Sequence, residues 1–261
     1  MTVFFHELKR NRIALIVWTA AICFMLGVCV LIYPEMESQM GEISEMFADM
    51  GNFSAAFGMD QINFGEFMGY FGVECGNVLG LGGAFFAAIL GISALAKEEK
   101  DRTAEFLLTH PISRKRIITE KYLYVIAQIL ILNIVVILVT AGCIFVIGEK
   151  ADFGKIAMLI LAYLILQIEI ASISFGISAF LKRGGLAIGL GFAIMSYFLN
   201  ILSNLTEDAK FIKYITPFGY TDSSYILTNG SIEVKYIITG LIFTVLGIAI
   251  AYYEYTKKDI S

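Results

Sequence analysis

The sequence predicts an all-α integral membrane protein: six transmembrane helices, a short cytoplasmic helix between spans two and three, and a long outer loop between spans one and two. Three observations predict it. Of 261 residues, 58% are hydrophobic and only 16% charged, whereas an average soluble domain carries roughly 45–50% and about 25%. The mean hydropathy is +0.77. Six stretches come close to the ~20 apolar residues that cross ~30 Å of hydrocarbon: 13–33, 76–96, 122–147, 156–181, 186–202 and 236–253. In lipid the backbone must satisfy its own hydrogen bonds, so these are read as helices. A barrel would show short alternating strands instead. No connection is long enough to hold a soluble catalytic domain, so residues 1–261 read as a single transmembrane domain.

The elements follow in order. Phe4-Phe5-His6-Glu7-Leu8-Lys9-Arg10-Asn11-Arg12 is short, basic and partly apolar, the pattern of an interfacial helix or of a plain positive anchor. Span one is followed by Tyr33-Pro34-Glu35 rather than a small-residue cleavage site, so it is expected to remain as an anchor. Beyond it, Met36, Met40, Ile43, Phe47 and Met50 fall at i, i+4, i+7, i+11 and i+14, one helical stripe. Glu35, Glu42, Glu45 and Asp49 occupy much of the remaining surface, and no Lys or Arg occurs between 34 and 75. A methionine stripe suits adaptable apolar contacts. It fits a lid over the outer mouth of its own domain, and equally an acidic mouth for a cationic amphipathic substrate such as a peptide. Like charges would keep it off an anionic lipid surface.

Span two carries Gly76, Gly80, Ala84 and Ala88 on one row and Gly83, Ala87 and Gly91 on another; span five carries Gly185, Gly189 and Ala193. Small residues mark close helix approach, inside the chain or at a dimer seam. Cys23, Cys29, Cys75 and Cys143 show no C-x-x-C spacing and read as small buried apolar residues.

Lysine and arginine set the orientation. With the N-terminus inside, fourteen of them lie on the inner side and five on the outer. Both termini are therefore expected in the cytoplasm, with loops 34–75 and 203–235 outside and 97–121 inside. The net charge of −4 and the absence of a basic stripe exclude a nucleic-acid partner. There is no G-x-x-x-x-G-K-[ST] phosphate loop, no H-E-x-x-H and no complete G-x-S-x-G elbow. The chain is thus expected to be no enzyme and to bind no cofactor or metal of its own. Energy for driven transport must come from a partner or from an ion gradient.

The segment from Lys97 to Arg116 is the most informative. Charged residues precede Phe106, Leu107 and Leu108; Pro111 closes the first helix, because its ring disfavours a helical His110. Ser113 is placed to cap the next helix, which runs through Ile117 into span three. Apolar side chains on a cytoplasmic connector need a covering surface, either lipid, with the arginines snorkelling, or protein.

This segment resembles the loop between spans two and three of ATP-binding-cassette exporter permeases of the second type. The matching residues are Glu98, Glu99, Thr103, Glu105, Leu107, Leu108, Pro111, Ile112, Ser113 and Arg114. Pro217-Phe218-Gly219-Tyr220-Thr221-Asp222 is similar to the family's P-F-x-Y-x-D element in the last outer loop, and Tyr252-Tyr253-Glu254-Tyr255-Thr256-Lys257-Lys258-Asp259-Ile260 to its aromatic, basic ending. The resemblance implies that the connector is a coupling helix docking on a separate ATPase subunit. Glu98, Glu99, Thr103, Glu105, Phe106, Leu107, Leu108, Pro111 and Arg114 would form that contact, and ATP and magnesium would sit in the partner. It also implies a second permease copy, or a similar permease, in the membrane. Low charge and few cysteines fit a bacterial cytoplasmic membrane. Loop 34–75 departs from the family pattern, so the substrate is not read from it.

Glu169 is the one acid near the middle of a span. A central acid is costly in lipid and needs partners or water. Ser172 and Gly176 follow on the same face, and Gln128 and Asn133 of span three are candidate partners. The group reads either as a polar lining of a transport path or as a protonated glutamate hydrogen-bonded between helices. Two other readings of the whole chain stay open: an ion-coupled carrier using Glu169 as its proton site, and a membrane sensor or scaffold acting through loop 34–75.

Overall fold

The computed structural model describes residues 2–51, 54, 56, 63, 65–100, 112–181 and 185–258. Every regular element among them is helical, and six helices are long and apolar enough to cross a membrane. The chain is an all-α, multi-pass membrane protein.

A basic helix, Thr2–Arg10, precedes span one, Arg12–Asp49. Span two is built from Phe67–Cys75, a π-helical turn Gly76–Leu81, and Gly82–Lys100. Spans three to six are Arg114–Ile147, Phe153–Ser178, Leu186–Leu205 and Val234–Lys257. Between spans five and six lie two 3-10 turns, Glu207–Tyr214 and Pro217–Tyr220, and a short helix, Ser223–Asn229.

Two boundaries differ from the sequence reading for physical reasons. Span one does not stop near Tyr33; the helix continues through Pro34 to Asp49, so the methionine stripe extends the span itself. Span three begins at Arg114, eight residues before the apolar run. There Ser113 accepts from the Arg116 amide at 3.4 Å, and Glu120 and Lys121 are buried with charged and backbone partners.

Spans two and four form the interior. In their apolar windows 72% and 61% of residues are buried, against 33% for spans one and three and 22% for spans five and six. Lipid supplies no hydrophobic drive between helices, so close packing of small residues must hold them. A Cβ on Gly76 would lie 2.9 Å from the Tyr163 hydroxyl of span four, and one on Gly80 2.9 Å from the Tyr163 ring. One on Gly83 would overlap Gln167, and one on Gly91 the Ala171 carbonyl. The Gly189 position of span five meets Ile92 at 2.9 Å and the Ala88 carbonyl at 3.1 Å. These small-residue rows therefore pack inside the chain.

At the terminus-bearing end, basic side chains cap helix carbonyls, the arrangement that complements a helix C-terminus. Arg114 Nη1 donates to the carbonyls of Tyr255, Thr256 and Lys258, the last at 2.6 Å. Lys258 Nζ in turn reaches the Ala179 and Leu181 carbonyls beyond span four. Lys121 Nζ donates to the Ala94 carbonyl of span two at 2.7 Å and pairs with Glu7 at 3.3 Å. Glu120 Oε2 accepts from the amides of Val3 and Phe4, at 2.9 and 3.2 Å, and so caps the N-terminal helix.

Candidate functional site

Helix geometry explains why two polar residues of span four serve different neighbours. Gln167 and Glu169 are two positions apart, about 200° around the helix. Gln167 faces spans two and three, where Asn133 Nδ2 donates to its Oε1 at 2.6 Å. Glu169 faces span six and the connection between spans five and six. It is buried, 2% exposed, and Tyr220 Oη donates to its Oε2 at 2.7 Å. Span six meets it with Gly240, where any Cβ would overlap the carboxylate.

The partners expected for Glu169 are thus not those it has. Asn133 is taken by Gln167, and Gln128 is buried with no hydrogen-bond partner for its amide among the described residues. Ser172 Oγ donates to the Ile168 carbonyl at 2.6 Å and shares a hydrogen bond with Tyr122 Oη at 2.8 Å. Its own carbonyl would lie 2.5 Å from a Cβ on Gly247, and a Cβ on Gly176 would lie 2.7 Å from the Gly247 carbonyl. The face expected to line a passage is filled here by the backbone of span six.

Tyr220 reaches Glu169 because the segment between spans five and six folds in among the helices. Thr216 Oγ1 donates to the Ser196 carbonyl of span five at 2.7 Å, and Thr216 also caps the turn that begins at Pro217. Gly219 passes so close to the Lys213 carbonyl that a side chain would not fit. Phe218 packs on Tyr197 with ring centroids 5.5 Å apart. Asp222 caps Ser223–Asn229 through Ser224 and Tyr225 and pairs with Lys213 at 3.2 Å. Ser223 Oγ donates to the Gly72 carbonyl of span two at 2.9 Å. Burial first, and then the neighbouring Glu169 carboxylate, hold the Tyr220 phenol well above its ordinary pKa, so it stays a donor.

The sequence reading missed Tyr220. The residue stood inside the P-F-x-Y-x-D element, but periodicity does not reveal which span a loop tucks against. It also missed Glu7 and Lys121, which looked like parts of a basic stub and a basic loop yet form a buried pair.

A small cavity of about 80 Å³ lies between the π-helical turn of span two, the end of span five and the infolded loop. Asn77, Tyr163, Tyr197, Asn200, Lys213 and Asp222 line it. A π-helical turn often marks a functional position in a helix. This one lies along the Tyr163 ring, where Gly76 and Gly80 leave no room for a side chain.

At the other end, Arg114 is the expected coupling residue whose side chain is placed, and it ties the start of span three to the end of span six. Thr103, Glu105, Phe106, Leu107, Leu108 and Pro111 lie outside the described residues, as do the side chains of Glu98 and Glu99. In the methionine stripe, Met36 is half-buried against the core and Met50 is exposed; the side chains of Met40 and Phe47 lie outside the description.

No curated protein matches the chain. The family model described as ABC-2 family transporter protein matches residues 1–260. With six spans, an inner pair sealed by small residues and no catalytic motif in the sequence, the chain belongs to the ABC-2 family of transporters, as a membrane-spanning transport subunit.

Proposed function

We propose that this chain is the permease of an ATP-driven exporter, moving a drug, peptide or lipid-like substrate outward. A separate nucleotide-binding subunit would hold ATP and magnesium and dock on the 97–116 connector. Two permease copies, or this chain beside a similar permease, would form the pathway in a bacterial cytoplasmic membrane, with both termini in the cytoplasm. Family membership over residues 1–260 carries the reading.

The geometry around the connector supports it. The connector leaves from span two, which Lys121 grips through the Ala94 carbonyl, and enters span three at Arg114, which grips the end of span six. Lys258 continues the chain of contacts to the end of span four. A docked ATPase that displaced the connector would therefore move four helix ends together. Span four carries Glu169, so that motion would reach the Tyr220 joint and the infolded outer loop. On this reading Glu169, Ser172, Gln128 and Asn133 belong to the mobile polar interior, and the apolar stripe of Met36, Met40, Phe47 and Met50, flanked by acids, faces departing substrate. The lack of Lys and Arg between 34 and 75 favours a cationic amphipathic one.

Replacing Phe106 and Leu107 together by Asp tests the docking. The chain is expected to insert at normal yield and to lose co-purification with its ATPase. Unchanged complex and unchanged ATPase rate would refute the assignment. Orientation is tested with single cysteines in a background lacking the native four. A cysteine at Ser38 should react with an impermeant thiol reagent in intact cells, and one at Thr109 only after permeabilisation.

A further inference from the structure

The connection between spans five and six does not stay at the level of the helix ends. Thr216 donates to the Ser196 carbonyl. Ser196 stands six residues before Leu202, where the apolar run of span five ends, which is about 9 Å back along a helix. Tyr220 reaches the level of Gly240, where a Cβ would lie 3.1 Å from its ring. Gly240 is six residues into Val234–Lys257, again about 9 Å. The two spans thus give the same depth. Irregular backbone is tolerated at such depth only where its polar groups are paired. Here the amides of Ile215, Thr216, Gly219 and Thr221 donate within the segment, and Pro217, Phe218, Gly219 and Tyr220 are buried.

The turn that leads down, Glu207–Tyr214, is sided in the opposite sense to a surface helix in water. Residues three apart share an edge of a 3-10 helix. Lys213 is turned into the protein, 14% accessible and paired with Asp222 at 3.2 Å. Phe211 and Tyr214, on another edge, are exposed, and so is Ile215 just after them; Phe211 is 62% and Ile215 53% accessible. Asp208 heads the Phe211 edge and Lys210 the Lys213 edge, and both are exposed. The segment therefore starts polar and shallow and finishes apolar and deep.

Its surroundings continue that surface. The segment touches both spans. Span five exposes Phe198, Leu202 and Leu205, and span six exposes Val234, Ile238 and Leu241, each set at the i, i+4, i+7 spacing of one helical stripe. The Tyr214 and Tyr236 rings meet edge-on with centroids 4.8 Å apart, and Lys235 Nζ lies 4.6 Å from the Tyr236 centroid. Aromatic rings with basic neighbours are the composition of a membrane boundary.

We propose that Phe211, Tyr214 and Ile215 are immersed in phospholipid, at the level where headgroups give way to acyl chains, in the leaflet at the end away from the termini. Water is a poor cover for three exposed apolar side chains that lead to this depth. A second copy of this chain would make a dry seam and strip water from Asp208 and Lys210 one turn above, whereas headgroups leave both hydrated. The assignment does not depend on the exporter reading.

Trp18 is the only tryptophan in the chain, so Trp18→Phe gives a dark background for single reporters. Phe211→Trp, Ile215→Trp and Asn229→Trp are placed in it, and the full-length chains are studied in phosphatidylcholine nanodiscs. Asn229 is the shallow control, exposed at the end of the helix Ser223–Asn229. Phosphatidylcholine brominated near the headgroup end of its chains should remove most of the emission at 211 and 215, and iodide in the buffer little of it. At 229 iodide should quench and brominated lipid should not. Iodide quenching at 211 and 215 as strong as at 229 overturns the proposal by placing them in water. Stronger quenching by lipid brominated near the chain ends overturns the assigned level. Quenching by neither agent, with Phe211→Cys cross-linking into a dimer, overturns it in favour of a second copy. A nitroxide on Phe211→Cys, in a chain that keeps Trp18 and lacks the native cysteines, reads the same surface independently. It should be more accessible to oxygen than to a water-soluble nickel chelate, and the reverse order refutes immersion.

Discussion

At the terminus-bearing end charged side chains tie one helix end to the next, whereas at the opposite end hydroxyls and rings wedge a loop between spans four, five and six. Glu7, Lys121, Arg114 and Lys258 each bridge separate elements of the first end. Tyr220, Thr216 and Ser223 do so at the second, through neutral donors. The chemistry of each end follows from how deeply it is dried. Carbonyls at helix ends need donors, and near the surface the long stems of Lys and Arg can supply them. Deeper in, a charge costs more than a hydroxyl, and the loop that enters there carries Pro217, Phe218, Gly219 and Tyr220 instead.

Three tests sharpen the contrast, in order of expected effect. Lys121→Met takes the ammonium from buried Glu7, which keeps the Asn11 amide and Arg10 at 4.0 Å, and removes the grip on Ala94. Breaking one side of a buried ion pair costs about 3–5 kcal/mol, so thermal unfolding of the purified chain should show the largest loss here. Replacing both partners, Glu7→Leu with Lys121→Met, should recover much of it, because the carboxylate that lost its ammonium is then gone as well. If the single substitution is silent, this end is not held by its charges.

The second test concerns the inner joint. Tyr220→Phe removes the donor and leaves the Glu169 carboxylate buried alone, at a cost of about 1–3 kcal/mol. Glu169→Gln keeps an oxygen to accept from Tyr220 and should cost less than about 1 kcal/mol. Stability of the two variants, measured side by side, decides whether shape and hydrogen bonding or the carboxylate charge makes the joint. A larger loss for Glu169→Gln would show that the charge does. With assembly intact, transport by each variant then reports on its use in the cycle.

The smallest effect is expected at Lys213→Met. Its pair with Asp222 is part-exposed, with side chains 14% and 32% accessible, and such pairs contribute roughly 0–1 kcal/mol. Asp222 keeps its helix-capping bonds in that variant. A loss comparable to that of Tyr220→Phe would mean that the outer end depends on charge after all, and the contrast between the two ends would fail.

Much of the architecture was legible in the amino-acid sequence because lipid imposes a one-dimensional rule. About twenty apolar residues must be helical to cross, so Leu, Ile, Val and Phe placed six spans without any knowledge of their neighbours. Ser113 marked the start of span three because a cap acts within one turn. Glu169 stood out as a central acid and is indeed buried. The small-residue rows announced close packing, which the glycines of span two show against span four.

What the chain order could not settle was which surface each side chain meets. Gln167 and Glu169 look like one polar patch in the sequence, yet 200° of helical rotation sends one to Asn133 and the other to Tyr220. Lys121 and Glu7 are 114 residues apart and form one buried pair. The continuation of span one through Pro34 was likewise hidden, because proline disfavours a helix locally while the helix nevertheless runs on to Asp49. Apolar length and capping are local and additive along the chain, so the sequence alone determined the spans. The pairing of polar groups depends on the rotation and depth of helices against one another, and only the packed bundle decided that.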